Sequence, residues 1–299
     1  MAGGQERILR RRIKSVQATK KITKAMELIA ASRIVRAMGR INEAKPFYES
    51  MVAVVEDIAG SAGLPKSRYF TPEPGGSRGI VVVTSDRGLC GSFNSAPLRF
   101  VEKLIARDGN DQGRIRLFGV GKKAVAFFNY RGVPLELSLM GVSERPTYEH
   151  ARTIAASVLE AYDSGVISSV DVLTTRFVSA GNQRMEMVPL LPIDPDSLKG
   201  GGSNLDFEIE PSAEEIIDPL LRLYVEETIF TLLLEASASE YAYKQRAMKA
   251  ATENAEELVK KYTRIMNRAR QDAITTEIME IVGGAEALKG SGDGDELSQ

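Results

Sequence analysis

The feature that most constrains the fold of this chain is a long stretch at each end with very few helix-breaking residues. From about residue 5 to residue 59 the sequence has one glycine, Gly39, and one proline, Pro46. From residue 212 to residue 282 it has a single proline, Pro219, placed near the expected helix start, where proline is tolerated. Each stretch predicts one continuous helix, about 80 Å long near the N-terminus and about 100 Å long near the C-terminus.

Apolar residues in both stretches recur at alternating intervals of four and three, which is the spacing of a coiled-coil seam. The N-terminal seam comprises Leu9, Ile13, Val16, Ala30, Ile34, Ala37, Ile41 and Ala44. The polar residues Lys20, Thr23 and Glu27 interrupt it. The C-terminal seam comprises Ala251, Ala255, Leu258, Tyr262, Ile265 and Ala269. Because such helices are longer than a domain of this size is wide, we expect them to pair antiparallel and to carry the rest of the chain between them.

The middle of the chain alternates strand and helix signals. Residues 80–84 form a β-branched run, which is typical of a strand covered on both faces. The predicted order is β-α-β-α-β-α-β-β, and the last two strands form a hairpin joined at Gly181-Asn182. This order predicts a small three-layer α/β domain. The fold class is therefore α/β: a long antiparallel two-helix coiled coil formed by the N- and C-terminal helices, with a central Rossmann-like domain.

Segments rich in glycine and proline separate these parts, and Gly283-Gly284 are predicted to end the last helix. The predicted division is an N-terminal coiled-coil helix (1–59), a linker (60–78), the central α/β domain (79–195), a second linker (196–211), a C-terminal coiled-coil helix (212–287) and a disordered tail (288–299).

The chain has few residues from which a catalytic or metal site could be built. Cys90 is the only cysteine and His150 the only histidine, so an internal disulfide or a four-thiolate metal site is excluded. The segment 118–123 resembles a phosphate loop but lacks the required first glycine and the Ser or Thr after its lysine. The segment 85–92 after the first strand reads as a tight turn, although a nucleophilic Cys90 is an open alternative. We expect no catalytic residue, metal or cofactor.

The terminal helices carry more apolar and basic residues than a coiled-coil seam can bury. The C-terminal tip is crowded with Ile274, Ile278, Met279, Ile281 and Val282. The first 24 residues are strongly basic, which fits nucleic acid, anionic lipid or an acidic protein surface. No aromatic residue precedes Phe47, so an acidic protein surface is favoured over nucleic acid. No run of about 20 apolar residues is present, and the N-terminus lacks the apolar stretch of a signal peptide.

Three stretches closely resemble the gamma subunit of F-type ATP synthases. They are residues 13–32 (IKSVQ…KITKAMELIAAS), 84–91 (TSDRGLCG) and 247–285 (AMKAATENA…NRARQ…ITTE…IVGGA). The resemblance implies a rotor shaft that couples rotation of the membrane c-ring to the beta-subunit catalytic sites for ATP synthesis. It implies the alpha and beta subunits, the epsilon subunit and the c-ring as partners, no catalysis by the chain itself, and a peripheral location on the cytoplasmic face of the bacterial plasma membrane.

The same resemblance implies contact residues for these partners. Met26 matches a shaft residue facing an acidic segment of beta, and the tip residues that match hexamer contacts are Arg270, Gln271, Thr275 and Glu277. A second hexamer contact falls on Lys244, with Arg246 as an open alternative. Phe207 lies in a segment where the family approaches the c-ring.

Two other functions are compatible with parts of this pattern. One is a free coiled-coil scaffold, or a nucleic-acid binder that uses the basic N-terminal helix. The other is an α/β enzyme with helical extensions, against which the incomplete phosphate loop and the lone histidine argue.

Overall fold

The structure, a computed structural model, describes residues 2–61, 67–71, 75–107, 114–194 and 213–292. They belong to two compact units. One combines Met1–Glu27 with Met248–Gln299, and the other is Leu28–Ala247. The two terminal helices contribute to both units, and the sheet lies wholly within the second.

The strands and helices follow the predicted order. They are α1 (Ala2–Ser61), β1 (Ser77–Val83), α2 (Ser95–Arg107), β2 (Ile115–Val120), α3 (Lys122–Tyr130), β3 (Leu135–Leu139), α4 (Tyr148–Asp163), β4 (Ile167–Phe177), β5 (Gln183–Leu191) and α5 (Ala213–Gly292). The predicted α/β class with a long helix at each end is confirmed.

The sheet has five strands in the order β3-β2-β1-β4-β5. β1 lies at its centre and pairs in parallel with β2 and β4, so that Val81 is opposite Phe118 on one side and Val172 on the other. β4 and β5 pair antiparallel, as the predicted hairpin requires. The β-branched run of β1 forms the central strand because both its faces are covered, and no polar face has to meet water.

Helices cover both faces of the sheet, which confirms the predicted three layers. On one face Ile80 and Val82 pack against α2 and α3, through residues such as Val101 and Phe128. On the other face the alternate side chain Val81 packs against α4, the last turns of α1 and the first half of α5. The alternation of side chains along a strand therefore divides the apolar residues into two separate cores.

Within Leu28–Ala247, helices α1 and α5 contact each other closely. Ile34 and Ala37 of α1 pack against Ala238, Tyr241 and Ala242 of α5. Small side chains make up much of this contact, since three of its five buried residues are the alanines Ala37, Ala238 and Ala242.

In the unit formed by the chain ends, α1 and α5 are joined by polar contacts. The Thr252 hydroxyl lies 2.8 Å from that of Thr23, and both residues are buried. Nearby, the Lys20 ammonium forms an ion pair with Glu256 at 3.0 Å. As residue numbers fall along α1 they rise along α5, so the helices are antiparallel, as predicted.

These contacts correct the predicted seam in two places. Thr23 does not interrupt the seam but is a buried part of it, because Thr252 supplies its hydroxyl with a partner. On α5, Leu258 and Ile265 are 40 % and 38 % exposed, whereas Val259 and Met266 are half-buried. The interface therefore runs through Thr252, Ala255 and Val259. Adjacent apolar residues fit the same repeat, and only the partner helix selects between them.

The ends of the elements differ slightly from the prediction. α1 continues to Ser61, and α5 continues through Gly283-Gly284 to Gly292. A glycine within a helix costs only about 1 kcal/mol relative to alanine, so this pair alone does not end α5. The predicted second linker, 196–211, and the last part of the predicted tail, from 293, lie outside the described residues. The division into domains stays a prediction.

Candidate functional site

The loop after β1 is a candidate ligand site, since ligands often bind at the carboxyl ends of parallel strands. The Asp86 carboxylate accepts three backbone N–H bonds, from Lys122 at 2.9 Å, Gly141 at 2.8 Å and Ser143 at 2.9 Å. Burial by itself would raise the pKa of Asp86, but these donors outweigh it and lower the pKa. The Asp86 carboxylate thus links the loop after β1 to the start of α3 and to the loop between β3 and α4.

This carboxylate also explains the segment that resembles a phosphate loop. The first N–H of α3, from Lys122, points at Asp86, and the N–H groups of Lys123 and Ala124 are taken by Ser85 O and Thr84 Oγ1. Gly121 has φ +92°, and a Cβ there would lie 2.1 Å from Thr84 O. The glycine is required by close backbone approach, and the donors that would bind a phosphate already have partners within the chain.

Cys90 lies in the same loop and is buried. Its sulfur accepts a hydrogen bond from Asn94 Nδ2 at 3.1 Å and lies 3.7 Å from Ser85 Oγ. Burial raises the pKa of the Cys90 thiol. A buried thiol with a raised pKa is a poor nucleophile, so the geometry favours a structural role.

His150 has a structural contact as well. The backbone N–H of Thr147 donates to His150 Nδ1 at 3.1 Å, where α4 begins. Within the described part of the chain, no group of three or more His, Cys, Asp or Glu residues could hold a metal ion. In the same part, no helix is both long enough and apolar enough to cross a membrane.

The exposed surface of α5 is a better candidate site than the domain. Within the unit formed by the chain ends, the last described turns of α5 expose the predicted apolar residues. Ile274, Ile278, Met279, Ile281 and Val282 are all 46 % to 67 % exposed. Contiguous apolar side chains of this kind mark an interaction surface. We call these five residues the apolar tip.

The predicted polar contacts of this region are also exposed. Arg270, Gln271, Thr275 and Glu277 all lie on α5 with their side chains in solvent. Gln271 and Thr275 are four residues apart and share one face of the helix, so they can reach the same partner. These four residues interleave with the apolar tip and give it a polar margin.

On α1, Met26 is half-buried, while Ile22 and Ile29 are exposed. Phe207 lies outside the described residues. By contrast, the apolar residues near Phe230 are covered. Ile229, Leu232 and Leu233 are buried in the sheet core, and the Phe230 ring contacts Tyr148 edge-on at 5.8 Å. The domain therefore covers that part of α5.

The two alternative cations on α5 have different surroundings. The Lys244 ammonium lies 2.8 Å from Glu240 Oε1, and the two side chains are 12 % and 0 % exposed. Arg246 is exposed, and its guanidinium lies over the Tyr243 ring, 4.7 Å from the ring centroid. The structure records no carboxylate partner for Arg246 among the residues it describes.

Sequence reasoning missed both Glu240 and Tyr243. Burial raises the pKa of Glu240, and Lys244 opposes that effect. A Glu four residues before a Lys is a common surface pattern, so the sequence carried no sign that this pair is internal. Asp86 could have been identified, since it lies three residues after the end of the buried strand β1, at the carboxyl end of a predicted parallel sheet.

Comparison with known proteins identifies consistent similarities. A family model described as ATP synthase matches residues 5–288. The ATP synthase gamma chain of Frankia casuarinae is 44 % identical over 293 residues, covering 95 % of this chain and 98 % of that protein. The ATP synthase gamma chain of Thermobifida fusca is 39 % identical over 306 residues, covering 98 % and 100 %.

Solved structures give the same picture of the fold. The central stalk and c-ring structure of the Tetrahymena thermophila mitochondrial ATP synthase has a chain that matches with a TM-score of 0.58 and 25 % identity, over 77 % of this chain and 99 % of that one. A chain of the Euglena gracilis mitochondrial ATP synthase matches with a TM-score of 0.67 over 99 % of both chains, at 17 % identity.

Proposed function

Since the chain belongs to the family of ATP synthase gamma chains, we propose that it is the central rotor shaft of an F-type ATP synthase. It turns with a membrane c-ring and couples that rotation to the conformational cycle of the beta-subunit sites where ATP is made. The observation that carries this proposal is the apolar tip of α5, whose exposed side chains need a partner to cover them.

The partners in this proposal are the alpha and beta subunits, the epsilon subunit and the c-ring. The Tetrahymena chain of similar fold is part of a central stalk with its c-ring, which supports the c-ring as a partner. The exposed basic residues at the start of α1, such as Arg7, Arg11 and Arg12, suit an acidic protein surface. The chain then works at the cytoplasmic face of the bacterial plasma membrane as a peripheral subunit.

The chain itself carries out no reaction in this proposal. Support comes from the carboxyl edge of the sheet, where Asp86 takes the N–H donors that a phosphate would need. Further support comes from Cys90, which is buried, and from His150, whose Nδ1 accepts a backbone hydrogen bond where α4 begins. The chemistry belongs to the other subunits.

Coupling follows from the asymmetry of a two-helix shaft. Each orientation of the shaft presents a different set of side chains to a given beta subunit. A contact can shift the conformation of that subunit only by as much as it favours one state over another. Rotation therefore changes which site is open and which is closed.

Particular residues are proposed for these contacts. Arg270, Gln271, Thr275 and Glu277 form the polar margin of the apolar tip and contact the hexamer around it. Met26 faces an acidic segment of beta from α1. Phe207, outside the described residues, approaches the c-ring, and Lys244 or Arg246 supplies a second hexamer contact.

The test is reconstitution with purified alpha and beta subunits of the same organism. We expect no ATP hydrolysis by the chain alone and strong stimulation when it is added to alpha plus beta. Turnover by the pure chain, reproducible between preparations and lost on substitution of a residue at the sheet edge, would show an enzyme instead. Failure of the chain to bind or to stimulate alpha plus beta would leave a free coiled-coil scaffold.

A further inference from the structure

Lys244 and Arg246 lie two residues apart on α5, but the first side chain is largely buried and the second is exposed. Lys244 points inward, where its ammonium meets the fully buried Glu240 at 2.8 Å and lies 5.5 Å from the centroid of the Tyr241 ring. Its charge is neutralised inside the chain. A lysine held in this way has little left to offer a partner, because leaving would strand a buried carboxylate.

The carboxylate depends on this lysine. Glu240 Oε1 accepts a hydrogen bond from the Lys244 ammonium, whereas Oε2 has no hydrogen-bond partner among the described residues. Removing Lys244 would therefore leave Glu240 buried without a counter-charge. Glu240 and Lys244 therefore depend on each other. The part of α5 that carries them packs against the loop between β3 and α4, where Tyr241 OH donates to Glu144 O at 3.1 Å.

Arg246 has the surroundings of a recognition residue. Its exposed guanidinium lies over the face of Tyr243, 4.7 Å from the centroid. Tyr243 is itself fixed, since its ring contacts Phe93 at 5.9 Å and lies against Gly91 of the loop after β1. A guanidinium supported by a fixed ring loses less freedom on binding. Among the described residues no carboxylate pairs with Arg246, so its N–H donors can bind one on a partner.

We propose that Arg246, supported by Tyr243, is the cation by which this part of α5 contacts a surface carboxylate of the alpha–beta hexamer, whereas Glu240 retains Lys244 as an internal charge. The proposal rests on the rotor function above and names a contact residue for it. The occupant is an acidic side chain because the free group is a planar cation whose N–H donors match a carboxylate in two-pronged geometry. Lys244 then acts on stability and not on recognition.

The experiment measures binding of the full chain to alpha plus beta subunits at low and at high salt, together with thermal unfolding of the chain alone. Arg246→Gln should weaken binding about fivefold at low salt and make binding less salt-dependent, as expected for an exposed ion pair. Arg246→Lys should restore part of the loss, and Tyr243→Leu should reproduce part of it. Arg99→Gln, which removes an exposed arginine from α2, is the matched control and should leave both measurements unchanged.

Lys244→Gln should lower the unfolding temperature of the chain while leaving the salt dependence of binding unchanged. Should that variant fold poorly, the double variant Glu240→Gln with Lys244→Gln removes both charges and should recover folding, and it should bind like wild type. The proposal is overturned if Arg246→Gln binds like Arg99→Gln, or if the double variant shows the reduced salt dependence. Wild-type chain that fails to bind alpha plus beta refutes the rotor function itself, whereas normal wild-type binding with an indifferent Arg246 refutes only this inference.

Discussion

Replacing four of the five residues of the apolar tip of α5 should weaken assembly with the hexamer and leave the stability of the isolated chain unchanged. The change is Ile278→Gln, Met279→Gln, Ile281→Gln and Val282→Gln together, which keeps or improves helix propensity at each position. In the structure these side chains are 53 % to 67 % exposed. None of them belongs to a buried cluster of the described residues, so their replacement should leave the core of the isolated chain intact.

The magnitude follows from the surface that a partner would cover. Fully burying one such side chain stabilises by about 1.5–3 kcal/mol, so covering the exposed part of each gives about 1–2 kcal/mol. Association and the ordering of side chains cost part of the resulting total of about 4–8 kcal/mol. A net loss of about 2–3 kcal/mol corresponds to a dissociation constant about 30- to 150-fold higher.

The assay compares the dissociation constant of the fourfold variant for alpha plus beta subunits with that of wild type. Glu280→Gln is the matched control, because it changes an exposed polar residue within the same turns and removes no apolar surface. Thermal unfolding of the isolated chain should be the same in all three proteins. An unchanged dissociation constant for the fourfold variant would show that no partner covers the apolar tip.

Three further predictions concern stability. Gly121→Ala places a Cβ 2.1 Å from a backbone carbonyl oxygen at φ +92°, so it should cost about 3 kcal/mol or more in denaturant unfolding. Gly132→Ala, with φ +67° and open space around it, should cost only the smaller backbone strain. The pKa of Asp86 is lower in the folded chain than in the unfolded chain, where it is about 3.9. Its carboxylate therefore stabilises the fold at pH values above about 3.9, and this stabilisation is lost as the pH falls through the folded-state pKa. Asp86→Asn should thus reduce stability at neutral pH by about 1–3 kcal/mol and flatten acid unfolding below about pH 4; an unchanged acid profile would contradict it. Thr23→Val with Thr252→Val removes both partners of the buried hydrogen bond between α1 and α5. The two hydroxyls otherwise contact only backbone carbonyls of their own helices, at Lys20 and Met248. Amide hydrogen exchange in α1 should therefore shift by no more than about 1 kcal/mol, and a larger loss would show that the pair contributes more than one ordinary hydrogen bond.

Much of the fold was predictable because its signals are local. The β-branched run of β1 and the period of the terminal helices follow from the residues themselves, and the order of strands and helices follows from their succession. The apolar tip was predictable for a related reason: a two-helix seam can bury one stripe of each helix, so surplus apolar residues must remain exposed. The resemblance to a known family supplied the function and the contact residues, which composition and spacing could not.

Other features could not be predicted because they depend on which groups the fold brings together. Leu258 and Val259 suit a coiled-coil seam equally well, and only the opposite helix selects the second. Lys244 and Arg246 look alike in the sequence, yet a buried Glu240 holds one and the Tyr243 ring presents the other.

The sequence by itself determined the class of fold, the presence of a long helix at each end and the excess of apolar surface, since these depend on periodicity and on the scarcity of helix breakers. The tertiary structure decided the register of the helix pair, the use of Asp86 as an internal anion, and which cation on α5 faces solvent. The physical reason is that hydrogen bonds and ion pairs depend on distances of about 3 Å between groups far apart in the chain. Such distances are set only when the sheet and helices have packed.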